Sequence, residues 1–536
     1  MQTTDKQPLA NANKSNLHKD RVLPTPKNIG YPPTKRLRAI FSILAFALPA
    51  YGYGLEFDIQ SIPLANDQKL EFMPFISPAD PQPAILVVET PDLDEREKQL
   101  QDLDQEPVRT VTVYRQNGSG WDTHLQQPLN SSMDLVDTIQ TGDRIGLAGY
   151  QDSKLWQLNE TSRTFEPVLE IQSMFVGANW DSSPTIEMFY DINDDGRDDF
   201  LMPGFDGWHL AIQTEKGFLP PQVVGPPPHM SFEDSARFVG YRARKPYLLD
   251  ENQDGLEDIA FWINGRFQIY LQESPGQFAT EALILDPNQK DVLGDFLSVS
   301  LGEDEEGQDE TQRMLEGVGD IDGDGLADLI IQTMEGDGIF GLETQYEIHL
   351  GQIDNNQRLT FEQQASSIVA TGGIQLNNER LDLTGDGREE FVITSVNISL
   401  GTIISALITR SASVDVSVYQ MHDQVFASEP SLAKEIKVKF DFSTGDLFVP
   451  AVLSAEVTGD GRKDLLVQKG LDTLLVFPGE ATEKLFAKSP IKLAMSLPSD
   501  REGFEVADLN QDGRDELILH LTTDDEATLA VVEFRD

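Results

Sequence analysis

Six segments of the chain repeat one acidic ten-residue pattern. They read DINDDGRDDF from Asp191, DENQDGLEDI from Asp250, DIDGDGLADL from Asp320, DLTGDGREEF from Asp382, EVTGDGRKDL from Glu456 and DLNQDGRDEL from Asp508. The consensus is an acid at position 1, Asp, Asn or Thr at 3, Asp-Gly at 5 and 6, an acid at 9 and an apolar residue at 10. The starts lie 59, 70, 62, 74 and 52 residues apart, a mean of about 63, which is the size of one supersecondary unit. A chain built this way folds as an array of similar units, not as a few unrelated domains.

The surroundings of the loops repeat too. An apolar segment follows each one, as in DLIIQ after Asp328 and ELILHL after Asp515. Next comes an alternating strand and then a second that ends in an aromatic: Trp208–Phe218, Phe267–Phe278, Val416–Phe426 and Leu474–Phe486. Alternation over short runs bounded by Gly, Asn, Ser and Asp is the signature of hairpins. Each unit therefore reads as four antiparallel strands with the acidic loop between the first and second. Two further units precede Asp191 without a full loop. One runs through KLEFMPFI, AILVVET and Val111–Trp121; the other through IQTGDRIGL and Lys154–Phe165, where Thr141-Gly142-Asp143 echoes Thr384-Gly385-Asp386.

A four-stranded sheet of about 60 residues cannot bury both faces alone, whereas sheets stacked around an axis bury each face on a neighbour. An open stack needs polar caps, and none is evident. The final unit shows only three strands, near EVADLN, ELILHL and TLAVVEF, while Leu55–Leu64 is a spare apolar segment able to complete it. The sequence thus predicts an all-β chain, a β-propeller of four-stranded blades, with eight blades favoured over seven. Asp92–Glu106 and Gly302–Gln312 read as solvated acidic excursions, and Pro226–Met230 as an extended inter-strand loop.

The loop spacing has a chemical reason. In a tight bend, side chains at positions 1, 3, 5 and 9 and the carbonyl of position 7 converge, and Gly at position 6 permits the turn. All donors are oxygen, which selects Ca²⁺. The strongest set is Asp320, Asp322, Asp324 and Asp328 with the Leu326 carbonyl. Next come Asp191, Asn193, Asp195 and Asp199 with the Arg197 carbonyl, and Asp250, Asn252, Asp254 and Asp258 with that of Leu256. Asp508, Asn510, Asp512 and Glu516 (carbonyl Arg514) and Asp382, Thr384, Asp386 and Glu390 (carbonyl Arg388) carry the longer Glu. Glu456, Thr458, Asp460 and Asp464 (carbonyl Arg462) begins with Glu and is the weakest. Asp, Asn and Gly also form ordinary turns, but turns alone do not need a fourth acid at position 9.

These loops, with hairpins ending in Gly-x-Phe such as Gly276-Gln277-Phe278, resemble the FG-GAP and VCBS repeats of integrin-α-type β-propellers. The resemblance covers residues from about 190 to 536 by loops and hairpins, and about 65 to 190 by hairpin pattern only. It implies Ca²⁺ at the loop positions, loops lining one rim, and partner binding often on the opposite rim. It does not imply one function, because relatives include adhesion proteins, toxin-complex components and polysaccharide-acting enzymes.

Charge narrows the partners. Lys plus Arg number 41 and Asp plus Glu 90, a formal net charge of −49, which repels nucleic acid and anionic lipid. Cysteine is absent, which excludes disulfides, thiolate metal sites and a cysteine nucleophile. The first 54 residues differ in kind, with eight basic side chains and two acids. Residues 1–38 form a basic polar extension. Residues 39–54 hold an apolar run, Ala39–Ala50, and the small-residue exit Tyr51-Gly52-Tyr53-Gly54, the pattern of a secretory signal. The run is too short to span a bilayer, so no stable membrane insertion is expected after cleavage. The propeller then occupies 55–536, in a secreted, periplasmic or cell-surface protein.

No catalytic residue is identified. The seven histidines are scattered, and no HExxH, GxSxG or P-loop is present. His209 and His349 fall in hairpin strands and read as packing or surface residues. Trp121, Trp156, Trp180, Trp208 and Trp262 suit either inter-blade packing or a sugar-binding surface. The expected function is an exported calcium-binding module that binds a protein or glycan, for adhesion or assembly. The alternative is a secreted enzyme acting on polysaccharide or phosphate esters.

Overall fold

A computed structural model describes residues 55–535 apart from 66–67, 78–79, 92–108, 119, 130–134, 143, 160–161, 176–187, 234–237, 294–311, 338–339, 385, 397–410, 423, 440–448, 481–484 and 524–525. The signal segment, the two acidic excursions up to residue 311 and Trp180 therefore lie outside the described residues. Among those described there is no α-helix, and no helix is long and apolar enough to cross a membrane.

Eight antiparallel sheets follow one another along the chain. Blade 1 is Gln68–Ser77, Asp80–Pro91, Thr110–Asn117 and Gly120–Pro128, and blade 2 is Leu135–Gln140, Ile145–Gln151, Lys154–Asn159 and Thr164–Glu170. Blade 3 comprises Phe189–Tyr190, Asp199–Pro203, Trp208–Ala211 and Gln222–Val224. Blade 4 comprises Pro246–Leu249, Asp258–Ile263, Arg266–Tyr270 and Leu283–Leu285. Blade 5 contains Gln312–Gly319, Asp328–Asp337, Phe340–His349 and Ser367–Gly372, with a parallel edge segment, Val292–Leu293, added to its first strand. Blade 6 has Ile374–Leu381, Glu390–Val396, Ser411–Tyr419 and Leu432–Lys439. Blade 7 has Val452–Ala455, Asp464–Gln468, Thr473–Phe477 and Ile491–Ala494. Blade 8 joins Phe504–Ala507, Glu516–Thr522 and Ala527–Arg535 to the first strand of the chain, Glu56–Leu64. That last pairing runs in unbroken antiparallel register from Glu56 opposite Arg535 to Leu64 opposite Ala527, so the expected spare segment does complete the final sheet.

The second strand of each blade explains why the sheets form a ring. Its residues are nearly all apolar, and both of its faces are covered, with consecutive residues serving opposite interfaces. Leu465 and Val467 pack between blades 6 and 7, whereas Leu466 packs between 7 and 8. Leu517 and Leu519 face blade 7, and Ile518 faces blade 1. Ala84, Leu86 and Val88 face blade 2, and Ile85 and Val87 face blade 8. Eight apolar clusters result, one for each interface of a closed circle of eight. An open stack of eight sheets would have one fewer.

One expectation is corrected. The aromatic that closes each repeat does not lie in the fourth strand. Past the third strand the chain leaves the sheet and makes a short side hairpin, Gln213–Thr214 with Gly217–Phe218, Gln272–Ser274 with Gln277–Phe278, Gly351–Ile353 with Leu359–Phe361, and Met421–His422 with Val425–Phe426. The fourth strand follows only afterwards. Each hairpin folds its aromatic toward the interface with the preceding blade: Phe218 between 2 and 3, Phe278 between 3 and 4, Phe361 between 4 and 5, and Phe426 between 5 and 6; in blade 7 Phe486, bridged to Gly479, takes the same place between 6 and 7. The tryptophans serve the same purpose. Trp208 and Trp262 are 6% exposed and sit in inter-blade clusters, with Trp156 and Trp121 packed against two others.

The closing strand gives a direct test. Ile62 is 2% exposed and contributes to the interface between blades 8 and 1, whereas Ile59 on the same strand is 42% exposed. Ile62→Ala is expected to destabilise the protein by about 2–5 kcal/mol, and Ile59→Ala by less than about 0.5 kcal/mol, as measured by denaturant unfolding.

Candidate metal centres

Every one of the six acidic loops joins the first strand of its blade to the second, as the repeat pattern predicts. The position-9 residue opens the second strand in each case: Asp199, Asp258, Asp328, Glu390, Asp464 and Glu516. Because these connections occupy equivalent places in consecutive blades, the loops lie side by side on one rim. Backbone contacts between neighbours confirm the proximity. Gly142 donates to the Gly196 carbonyl, Glu389 to that of Ile321, and Asp515 to that of Glu456.

Within a loop, the sequence builds its own scaffold. The position-1 carboxylate accepts from the amides of positions 5 and 6, at 2.9 and 2.8 Å in the loop from Asp191 and at 3.1 and 2.8 Å in those from Asp250 and Asp320. Position 3 accepts from the same position-5 amide (Asn193, Asn252, Asp322, Asn510), and position 5 accepts from the amide of position 7. Glycine at position 6 has φ between +77° and +90° in all six loops, a conformation that a side chain would strain. The side-chain oxygens at these positions are thus held in place by the loop's own backbone amides.

Position 9 has a second task. In the loops from Asp250, Asp320, Asp382, Glu456 and Asp508 one oxygen of this buried carboxylate accepts from the amide of position 2, at 2.7–2.9 Å. Where position 9 is Asp, the other oxygen accepts from the residue just past the third strand: Gln213, Gln272, Gly351 or Gly479. That bond takes the amide the third strand would otherwise give to its ladder, and there the side hairpin begins. The acid at position 9 is therefore a staple between loop, second strand and hairpin.

Position 8, which the consensus leaves open, couples neighbouring loops. The Asp198 carboxylate accepts from the Gln140 amide in blade 2, and Asp515 accepts from the Glu456 amide at 2.6 Å and from Lys463 at 2.7 Å. Glu389 reaches blade 5 through its backbone amide, on the Ile321 carbonyl, while its carboxylate pairs within blade 6 with Arg380 at 3.2 Å. The signal for this was present in the sequence, since four of the six loops carry two adjacent acids at positions 8 and 9.

The carboxylates are crowded. In blade 5, oxygens of Asp320, Asp322 and Asp328 all lie within 4.8 Å of one another. Burial pushes Asp199 and Asp328 up to about 7, Asp258 up to about 6, and Glu390 and Glu516 up to about 7, with the negative charges at positions 1 and 5, or in blade 5 those of Asp322 and Asp324, adding to the rise. Several buried oxygens find no hydrogen bond among the described residues: Asp199 Oδ2, Asp322 Oδ2 and Glu456 Oε2. Gln424 lies close enough to Asp322 to lower its pKa slightly, yet no bond of normal geometry reaches Oδ2. A buried carboxylate oxygen without a donor is costly, and a hard cation in the loop would satisfy it.

The loop from Glu456 differs in a way that fits its low rank in the sequence. Arg462 pairs with Asp460 at 2.9 Å, Lys463 with Asp515 at 2.7 Å, and the Arg514 guanidinium lies over Gly459. Protein cations thus compensate charge at this bend, as Arg358 does in blade 4 by pairing with Glu251 at 2.9 Å. In the loop from Asp382, Arg388 approaches Asp386 only to 4.0 Å.

His349 is buried, with Nδ1 2.9 Å from the Glu362 carbonyl, and His209 Nε2 lies 2.6 Å from Asp206.

No protein-family model matches the chain, and no curated protein matches it either. Among solved structures it is similar to an Agrocybe aegerita lectin that recognises non-reducing terminal N-acetylglucosamine (17% identity, 86% of this chain and 99% of that one, TM-score 0.37). It is also similar to the V. cholerae biofilm matrix protein Bap1 (11% identity, 89% and 91%, TM-score 0.38). At these TM-scores the likenesses carry no argument. The propeller stands on its own strand order, and the FG-GAP and VCBS resemblance rests on the loops alone.

Two outcomes are expected. First, Asp258→Ala strands the Gln272 and Glu251 amides and should cost about 2–4 kcal/mol even in EDTA, because the staple acts without metal. Urea unfolding with chelator checks this. Second, the five raised carboxyls bind protons more tightly folded than unfolded. Their stabilisation is complete below the ordinary values of 3.8 and 4.5 and is lost as pH rises through about 6 to about 7. Chelated protein should therefore unfold at lower denaturant at pH 8 than at pH 5.5, and a flat profile would contradict the crowding.

Proposed function

We propose that the protein is an exported, calcium-clamped β-propeller that binds a protein or glycan partner without catalysing a reaction. The observation that carries the reading is the shared rim of acidic loops, with carboxylates converging in blade 5 and buried carboxylate oxygens that lack donors in blades 3, 5 and 7. Ca²⁺ is the cation these donors fit, because it accepts many oxygen ligands at flexible geometry, whereas Mg²⁺ demands a stricter octahedron. Asp320, Asp322, Asp324 and Asp328 with the Leu326 carbonyl would hold it in blade 5. The matching positions serve in blades 3, 4, 6 and 8, and more weakly in blade 7. What the ion supplies is charge neutralisation and rigidity, and the loops then fix their blades relative to one another through the position-8 contacts. Export is supported by Lys35-Arg36-Leu37-Arg38 before the apolar run Ala39–Ala50, with mature protein from about residue 55. The net charge of −49 argues against a nucleic-acid partner.

The test is a calcium titration of chelated protein near pH 6.5, followed by scanning calorimetry and by proton release into a weakly buffered solution. Calcium is expected to raise the Tm, by linkage, and to release protons, because a bound ion requires ionised carboxylates. Asp322→Asn should weaken binding at the blade 5 site. An unchanged Tm with no proton release would refute calcium occupancy.

A further inference from the structure

The rim away from the acidic loops carries a compact feature that the calcium reading leaves unused. In blade 3, the turn Gly204–Gly207 joins the second strand to the third, so it lies at the opposite end of the blade from Asp191–Asp198. It presents Phe205, 56% exposed, to solvent. The turn is tightly built. Gly204 donates to the Gly207 carbonyl at 2.7 Å. A Cβ at 204 would lie 2.6 Å from His209 Nε2, and one at 207 would lie 2.8 Å from the Gly225 carbonyl oxygen and 2.9 Å from Val223 Cγ1.

Beside it stands a hairpin that no other described blade junction possesses, His229–Glu233 paired with Phe238–Arg242, inserted between the fourth strand of blade 3 and the first of blade 4. Its base is pinned: Trp208 Nε1 donates to the Arg244 carbonyl at 2.9 Å, and Arg244 Nε donates to that of Pro227 at 3.0 Å. Tyr241, 48% exposed, meets the Phe205 ring edge to face at 5.1 Å between centroids. Met230, opposite Tyr241 in the hairpin register, and Val223 are also exposed. Next to Phe205, Asp206 Oδ1 accepts from His209 Nε2 at 2.6 Å, which holds the carboxyl below its usual range and fixes its direction.

We infer that this turn and hairpin form a binding site for a neutral pyranose ring of a glycan, with Phe205 and Tyr241 as the stacking surface and Asp206 as an oriented hydroxyl acceptor. The inference deepens the binding-module reading and rests on it. Three observations select this occupant. A pyranose offers one apolar face of C–H groups and a girdle of hydroxyls, and the site pairs two exposed aromatic rings with one held carboxylate. The patch comprises four exposed apolar side chains, whereas a standard protein interface takes roughly 20–30 residues a side. Asp206, ionised and next to Phe205, repels a sugar carboxylate laid over the rings.

The test uses the full chain with calcium present, and titrates cellohexaose, laminarihexaose, mannohexaose and chitohexaose by calorimetry, with alginate as an anionic comparison. At least one neutral oligosaccharide is expected to bind. Phe205→Ala and Tyr241→Ala should each weaken it about tenfold or more, with Tm unchanged, while Phe205→Trp retains binding. Asp206→Asn should weaken it too, because a carboxylate accepts the stronger hydrogen bond. Neutral binding that is indifferent to Phe205→Ala and Tyr241→Ala overturns the site and leaves the binding module intact. Binding only to alginate, or to a protein partner with no neutral sugar bound, overturns the ligand class. Absence of any ligand for the calcium-loaded chain defeats both readings.

Discussion

The molecule depends on one constraint: the second strand of each blade is apolar on both faces. Residues such as Leu465, Leu466 and Val467 alternate between two interfaces, so a single sheet would leave half of its core in water. Each blade is stable only between two neighbours, and the condition is met for all eight at once by closing the circle. The side hairpins strengthen this arrangement, since each returns an aromatic to the blade before it. Packing therefore runs around the ring in both directions from every sheet.

The acidic loops stand in a definite relation to that core. Their position-9 carboxylates are buried at its edge, where those of blades 4, 5 and 7 staple the loop to the start of the second strand and to the chain just past the third. Carboxylates in such places are costly unless hydrogen-bonded or neutralised. The loops thus convert a liability of the fold, an irregular connection at the end of a buried strand, into a hydrogen-bonded polar scaffold. Neighbouring loops share this scaffold through position 8, so charge at one bend is felt at the next, as with Asp515 between Glu456 and Lys463.

Much of this was legible in the sequence. The period of the loops, their place between first and second strands, the two cryptic early blades and the closing strand Leu55–Leu64 all followed from local pattern and from the need to cover apolar faces. The fate of the aromatics did not. Phe278 and Phe361 sit at the end of alternating runs, and alternation alone does not reveal that a distant carboxylate has taken the amide that would have extended the ladder. The couplings at position 8 were written in the doubled acids, but the partners of Asp198 and Asp515 lie in another blade, beyond any local period. Phe205 and Tyr241 were illegible for a related reason: nothing in GFDG or in the hairpin sequence says that the two segments meet.

The pairing of Glu56–Leu64 with Ala527–Arg535 carries a consequence for assembly. The two strands come from opposite ends of the chain, so the circle cannot lock until the last sheet has been made, and the loop entropy of that closure is borne in one late step. Until then Ala527–Arg535 offers a bare backbone edge. A second molecule's amino-terminal strand fits that edge as well as the chain's own does, and at high concentration during refolding the two would compete. Exchange of this one strand between copies is the misassembly to which such a ring is most exposed.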